Sequence, residues 1–371
     1  MASNFLRKGT STVREKAQRV KGGRDKSSIP APYVIPFFIS HQGCPHQCVF
    51  CNQHAITGSS GQTSVSGEVV ADEISQTLAR PRNTLRPVQV AFYGGSFTGL
   101  DRSRQEELLG AVRPFLQRGE VDFIRLSTRP DYVDEEIALF LKNSGVGLVE
   151  LGIQSFDPVV LELCRRGHGI GQVENAFSHL RGAGIGVGGQ LMVGLPGEKS
   201  GRVLAGARLL VALRPDLVRI YPTLVLKGSP LAALLETGHY RPLPLPRAVA
   251  LCSRMKEIFD QASIPIVRMG LQPTPSLERE LLAGPYHPAF GELVQARLYF
   301  RRLRSRLGCL QKERGNGTIK LLLSDSDRSL LYGRKRYYLD RLAGLQLLQG
   351  VEIDYVAGKP RMAIGHELRH S

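Results

Sequence analysis

The stretch His41-Gln42-Gly43-Cys44-Pro45-His46-Gln47-Cys48-Val49-Phe50-Cys51 decides how the rest of the chain is read. It holds three of the six cysteines within eight residues, directly after an apolar run, Tyr33 to Ile39, that has the composition of a strand. Three thiolates this close on one loop can converge on one metal centre. Thiolates suit zinc, with His41, His46 or His54 as a nearby fourth ligand, and they equally suit an iron–sulfur cluster. In a cluster, three cysteines leave one iron open for chemistry. Cys164, Cys252 and Cys309 lie scattered among apolar neighbours and read as buried thiols.

Outward from this loop the chain alternates strand and helix patterns. Helix follows over Val65–Ala79, strand over Val88–Tyr93, helix over Arg102–Leu116 and strand over Phe123–Leu126. In Asp131–Asn143 the apolar residues Val133, Ile137, Phe140 and Leu141 recur at helical spacing. Asp131 is placed to cap this helix and Gly145 to stop it. Strand Gly147–Ile153, short helices at Pro158–Arg165 and Gln172–Leu180, and strand Ile185–Val193 come next. Helix Val203–Leu213, strand Leu217–Tyr221 and helix Pro246–Ala262 complete six β–α units. Such a series predicts a parallel sheet with helical crossovers, and six rather than eight units predict a partial, TIM-like (β/α)6 barrel over residues 31–262.

Residues 263–371 change character and predict an α+β extension. It comprises a strand-like run at Pro265–Gln272, a helix at Ala289–Leu307, a helix at Arg328–Gln349, and strands at Ile319–Leu323 and Val351–Val356. Residues 1–30 carry eight Lys/Arg against two acids and read as a disordered basic arm, with an organelle transit peptide as the alternative. The whole chain of 371 residues has a formal charge of +16, which points to a polyanionic partner. No apolar run approaches the ~18 residues of a membrane span, and the cysteine usage fits a reducing cytoplasm.

In parallel barrels chemistry sits on the loops after the strands. Here the cysteines follow strand one, Gly94-Gly95-Ser96 follow strand two, Ser127 and Arg129 follow strand three, and Gln154 follows strand four; Gln190 lies within strand five. The Cys-x3-Cys-x2-Cys spacing, with an aromatic before the last cysteine and β–α units behind it, resembles the radical S-adenosylmethionine (radical SAM) enzymes. The resemblance implies that Cys44, Cys48 and Cys51 ligate a [4Fe–4S] cluster and that S-adenosylmethionine chelates the fourth iron. It implies reductive cleavage to a 5′-deoxyadenosyl radical, with electrons from an external one-electron reductant of flavodoxin or ferredoxin type. By the same resemblance Gly94, Gly95 and Ser96 form the turn that approaches the methionyl amino group. Ser127, with Arg129 beside it, and Gln154 fall where the coproporphyrinogen-oxidase-like branch holds the cofactor. Arg166 matches that branch's carboxylate-binding arginine, and Gln190 stands where it has a ribose-binding acid.

A closer resemblance lies in Tyr93-Gly94-Gly95-Ser96-Phe97-Thr98, Ile220-Tyr221-Pro222-Thr223-Leu224-Val225-Leu226-Lys227-Gly228-Ser229 and Arg268-Met269-Gly270-Leu271-Gln272-Pro273. These resemble the catalytic subunit of Elongator, which modifies the wobble uridine of transfer RNA. The cysteine spacing here is narrower than that family's. No acetyltransferase domain is expected, since Arg341-Leu342-Ala343-Gly344-Leu345-Gln346 only half matches an acetyl-coenzyme-A loop. Between Arg297 and Arg341 there are thirteen Lys/Arg and four acids, with Tyr332, Tyr337 and Tyr338 interleaved. Arg297, Arg301, Arg304, Arg334, Lys335 and Arg336 are the expected RNA contacts, by phosphate pairing beside aromatic stacking. Three functions stay open: radical chemistry on a transfer RNA base, the same chemistry on a small or porphyrin-like molecule, and a non-enzymatic RNA-binding protein with a structural metal.

Overall fold

The computed structural model describes residues 31–39, 43–44, 47–52, 65–83, 85–315, 317–332, 336–358, 360, 362 and 364–369. The basic arm over 1–30, His41, His46, His54, Arg334 and Lys335 lie outside the described residues. Two compact units make up the chain, one of residues 1–45, 59–152 and 171–188, the other of 46–58, 153–170 and 189–371.

The strands and helices run in alternation from β1 (Tyr33–Phe38) through α1 (Gly67–Ala79), β2 (Val88–Tyr93), α2 (Arg102–Gln117), β3 (Phe123–Thr128) and α3 (Glu135–Asn143) to β4 (Val146–Gln154). They continue with α4 (Pro158–Leu163), α5 (Ile170–Gly182), β5 (Gly186–Val193), α6 (Ser200–Ala212), β6 (Leu217–Pro222), β7 (Val225–Leu226) and α7 (Pro230–Glu236). Then follow α8 (Leu245–Gln261), β8 (Ile266–Met269), α9 (Pro275–Glu280), β9 (Leu281–Ala283) and α10 (Phe290–Glu313). The chain closes with β10 (Thr318–Ser324), α11 (Arg328–Tyr332), α12 (Tyr337–Gly344), β11 (Val351–Val356) and β12 (Gly365–Arg369).

One sheet has the order β1-β2-β3-β4-β5-β6-β8, the curled parallel sheet of a partial (β/α) barrel. Sequence expects six strands in it, and the structure has seven. Ile266–Met269, read as part of the extension, pairs parallel with β6 at Val218↔Ile266 and Ile220↔Met269. A bulge interrupts the β3–β4 register where Gly147 is skipped; a Cβ there would stand 2.8 Å from the Phe123 ring. Such bulges bend a strand and re-aim the side chains beyond them.

Three expectations about helices are corrected. Asp131 does not cap α3; Asp134 does, its carboxylate accepting from Ile137 N at 2.8 Å. Asp131 is instead held by Arg129, and Pro130–Tyr132 form a separate 3-10 turn. The single helix expected over Arg328–Gln349 is two, α11 and α12, and Arg336 before the second has the left-handed φ of 58° that ends helical geometry. Cys309 is exposed rather than buried, because it lies off the apolar stripe Leu303–Leu307–Leu310 of α10.

After the barrel strands, the three-stranded sheet β11-β10-β12 carries α10, α11 and α12 on a core of Tyr299, Phe300, Leu303, Leu307, Ile319, Leu321, Leu323, Leu330 and Leu342. The helix α10 packs on α8, where Arg301 meets Glu257 at 3.0 Å and Arg302 meets Asp260 at 3.1 Å.

Candidate active site

In the first unit, the site is built on the turn after β2. Gly94 has φ 97°, a conformation that costs glycine nothing and other residues a clash. The turn is locked from β3 by Thr128, whose hydroxyl lies 2.9 Å from that of Ser96 and 2.6 Å from that of Thr98. Ser96 is buried and also accepts from Arg129 N, so its hydroxyl holds the turn together. The Arg129 guanidinium is buried against Asp131 at 2.8 Å. Ser127 is half-buried at the end of β3.

The cysteine loop begins against this turn. Gly43 has φ 69°, and a Cβ on it would lie 2.1 Å from the Ser96 carbonyl oxygen; one on Gly99 would lie 2.0 Å from the Gly43 oxygen. Only two facing glycines allow backbone to meet backbone this closely, and that contact positions Cys44 next in the chain.

Beneath the turn lies a polar group that sequence did not single out. Arg125 on β3 donates to Glu150 on β4 at 2.5 and 3.1 Å and to Gln89 on β2 at 3.1 Å; Tyr93 OH reaches the same Glu150 oxygen at 3.3 Å. The signal was present. Arg125 is two residues before Ser127 and Glu150 four before Gln154, so both share a strand face with a site residue, as Gln89 does with Tyr93. A buried pair of this kind is costly to break, by about 3–5 kcal/mol.

In the second unit, Val49 fixes the other end of the cysteine loop. Its N–H donates to the Cys164 carbonyl at 3.3 Å, its carbonyl accepts from Leu231 N at 2.8 Å, and its side chain is buried with Val160, Leu195 and Tyr240. Cys48 and Cys51 close a turn, Cys51 N to Cys48 O at 3.0 Å, and the Asn52 amide donates to Lys227 O at 2.6 Å. The Arg166 guanidinium donates to Cys48 Sγ at 3.1 Å, both residues being buried. Gln154, at the end of β4, is buried with a left-handed φ of 68°, and accepts from the Gln190 amide at 3.4 Å. A non-glycine residue held there costs about 1–3 kcal/mol, strain of the kind that collects at functional sites.

Cys164 and Glu198 are among the groups of this unit whose acidity is shifted. Burial, with the nearby Cys48 charge, pushes the Cys164 thiol up to about 12, so it stays protonated beside the loop. Burial also raises Glu198, in the Gly194-Leu195-Pro196-Gly197 turn after β5, to about 7, against hydrogen bonds from Gly194 N at 2.5 Å and from Leu195 N. A cavity of about 220 Å³ opens beside this turn, lined by Glu198, Tyr240 and Arg241 but not by Gln154, Gln190 or Arg166.

None of the six cysteines is in a disulfide. Cys44 in the first unit and Cys48 and Cys51 in the second therefore carry thiol sulfurs, and Cys48 takes an N–H donor from a cation. This is the chemistry of a cluster ligand set, and it fits the group. Among the described residues, Cys44, Cys48 and Cys51 included, no three His, Cys, Asp or Glu are drawn together as a metal site.

Residues 38–210 match the model of the radical SAM superfamily, and residues 215–299 that of the radical SAM C-terminal domain. The chain belongs to the radical SAM superfamily and is an enzyme of that class. Among its relatives is the tRNA uridine(34) acetyltransferase of Methanocaldococcus jannaschii, 25% identical over 62% of this chain and 50% of that protein. Another is the oxygen-independent coproporphyrinogen III oxidase of Paracoccus denitrificans, 24% identical over 53% of this chain and 44% of that one. The solved archaeal Methanocaldococcus infernus Elp3 superposes with a TM-score of 0.55 at 21% identity, over 77% of this chain and 64% of that one, which shows a shared fold. The chain spans about half the length of the curated relatives it matches.

Proposed function

We propose that this enzyme carries out radical chemistry on RNA, with a transfer RNA base as the target. When bound, a [4Fe–4S] cluster on Cys44, Cys48 and Cys51 supplies the electron that cleaves S-adenosylmethionine to the 5′-deoxyadenosyl radical. The chain's own residues bind and orient. The backbone of Gly94 and Gly95 would take the methionyl amino group, and the polar ends of Ser127, Gln154 and Gln190 would hold the rest of the cofactor. Arg129 is committed to Asp131, so its part is to stiffen the turn rather than to reach the cofactor. An external one-electron reductant of flavodoxin or ferredoxin type completes the reaction.

The observation that carries RNA over a small molecule is an aromatic–cation stack beside the C-terminal sheet. Tyr338 stacks on Phe300 at 5.1 Å, Arg297 and Arg341 lie over the Phe300 ring at 5.6 and 5.4 Å, and Arg341 donates to Tyr337 OH at 3.2 Å. Tyr337 itself is 56% exposed. Cations fixed by rings, next to an exposed ring, offer phosphate contacts and a stacking platform together. Of the arginines expected to bind RNA, Arg297 belongs to this stack, Arg304 is exposed, and Arg336 lies over Tyr332 at 5.6 Å. Arg301 is instead engaged by Glu257. The relatives named for tRNA uridine(34) support the same substrate class.

The test is the modified-nucleoside content of transfer RNA from cells with and without this protein. One nucleoside present only with the protein, and lost in a Cys48→Ala strain, is expected. Identical profiles, with a porphyrin-like or other small molecule accumulating in the deletion, would move the substrate to the second class.

A further inference from the structure

We propose that Arg166 sets the reduction potential of the cluster, by giving the Cys48 sulfur a hydrogen bond and a fixed positive charge. The proposal rests on the cluster assignment above. Three features hold the guanidinium where it acts. Its own backbone N–H donates to Leu161 O at 2.9 Å and ends α4, with Arg165 at φ 53° and Gly167 at φ 70° on either side. Its Nη1 donates to Cys48 Sγ at 3.1 Å. Its Cζ stands 6.0 Å over the ring of Phe50, the aromatic before the last cysteine. The Val49 N–H to Cys164 carbonyl bond ties the two loops at the same place.

A guanidinium cannot give up its proton at any ordinary pH, so the charge beside Cys48 is permanent. Both residues are buried, where a charge is screened far less than in water. Reduction adds one negative charge to a cluster. A donor and a cation on a ligand sulfur stabilise that extra charge more than they stabilise the oxidised form, and so raise the potential. Arg166 would thereby bring the cluster within reach of the external reductant. Arg165, the adjacent arginine, is exposed and makes no such contact with Cys48. The effect on the sulfur is separate from any contact Arg166 makes with a cofactor carboxylate, and it exists without the cofactor.

The experiment is an anaerobic potentiometric titration of reconstituted protein without S-adenosylmethionine, followed by the electron paramagnetic resonance of the reduced cluster. Wild type, Arg166→Lys, Arg166→Gln, Arg166→Ala and Arg165→Ala are compared. At the poise where wild type is half reduced, Arg166→Ala is expected to show a reduced-to-oxidised ratio about tenfold lower, a shift of about 59 mV for one electron. The Lys and Gln variants, which keep the charge or a donor, fall between, and Arg165→Ala titrates with wild type. The proposal is overturned if the Arg166 variants that hold a cluster titrate at the wild-type potential, or if Arg165→Ala shifts as far. A wild-type protein that takes up no cluster would overturn the assignment beneath it instead.

Discussion

At the scale of single residues, the site combines groups whose state is set by burial with groups whose conformation is set by contact. Glu198 is the clearest of the first kind. Its carboxyl is raised from 4.5 to about 7 by burial, so the folded protein binds a proton there that the unfolded chain has lost. Stability from this group is complete below about pH 4.5, falls as pH rises toward 7, and changes no further above it. The shift is worth up to about 3 kcal/mol, with 1.36 kcal/mol for each unit. Glu198→Gln keeps an acceptor for the Gly194 N–H and cannot ionise. Chemical denaturation from pH 5 to 8 should show wild type losing stability relative to this variant, and parallel curves would contradict the assignment. The cysteines were legible from spacing alone. The Arg125–Glu150 pair left only the trace of a strand face shared with Ser127 and Gln154, and the Arg166–Cys48 contact left none, since each joins strands or loops that sequence places far apart.

At the scale of elements, the deciding contact is between two turns. The start of the cysteine loop and the turn after β2 meet through Gly43 and Gly99, with no room for a side chain on either. Gly43→Ala adds a methyl group 2.1 Å from the Ser96 oxygen in a left-handed backbone, strain worth about 1–3 kcal/mol. The loop should lift from its seat. We expect a lower melting temperature and at least a severalfold loss of iron bound per protein on reconstitution; full loading would show that the seat is dispensable. Element order was readable because apolar periodicity survives in every strand and helix. Boundaries moved where local contacts overrode it. Asp131 went to Arg129 and left the cap to Asp134, and Arg336 at positive φ divided a helix that the apolar pattern alone runs through. The helices α7 and α9 and the strand β12 carry too few periodic residues to announce themselves.

At the scale of the whole molecule, a partial barrel of the radical SAM class is joined in sequence to a basic α+β region, within a chain of formal charge +16. No described helix is long and apolar enough to cross a membrane. If the arginines over Phe300 contact RNA, Arg297→Ala with Arg341→Ala should weaken binding to transfer RNA about equally for unrelated sequences. Losing two phosphate contacts should also lower the slope of log affinity against log salt by about 2. An unchanged slope would remove these arginines from the interface. The fold class could be reached from sequence because strand and helix patterns alternate through six units, with chemically unusual segments after four successive strands and Gln190 within the fifth. The substrate could not, since a basic surface records charge and not the molecule that meets it. The central claim is that Cys44, Cys48 and Cys51 hold a redox-active cluster that cleaves S-adenosylmethionine. The direct measurement is anaerobic reconstitution with iron and sulfide, followed by reductant and S-adenosylmethionine. Brown protein releasing 5′-deoxyadenosine, with both colour and product lost in Cys48→Ala, is the predicted result. A colourless protein that binds zinc and releases no 5′-deoxyadenosine would contradict it.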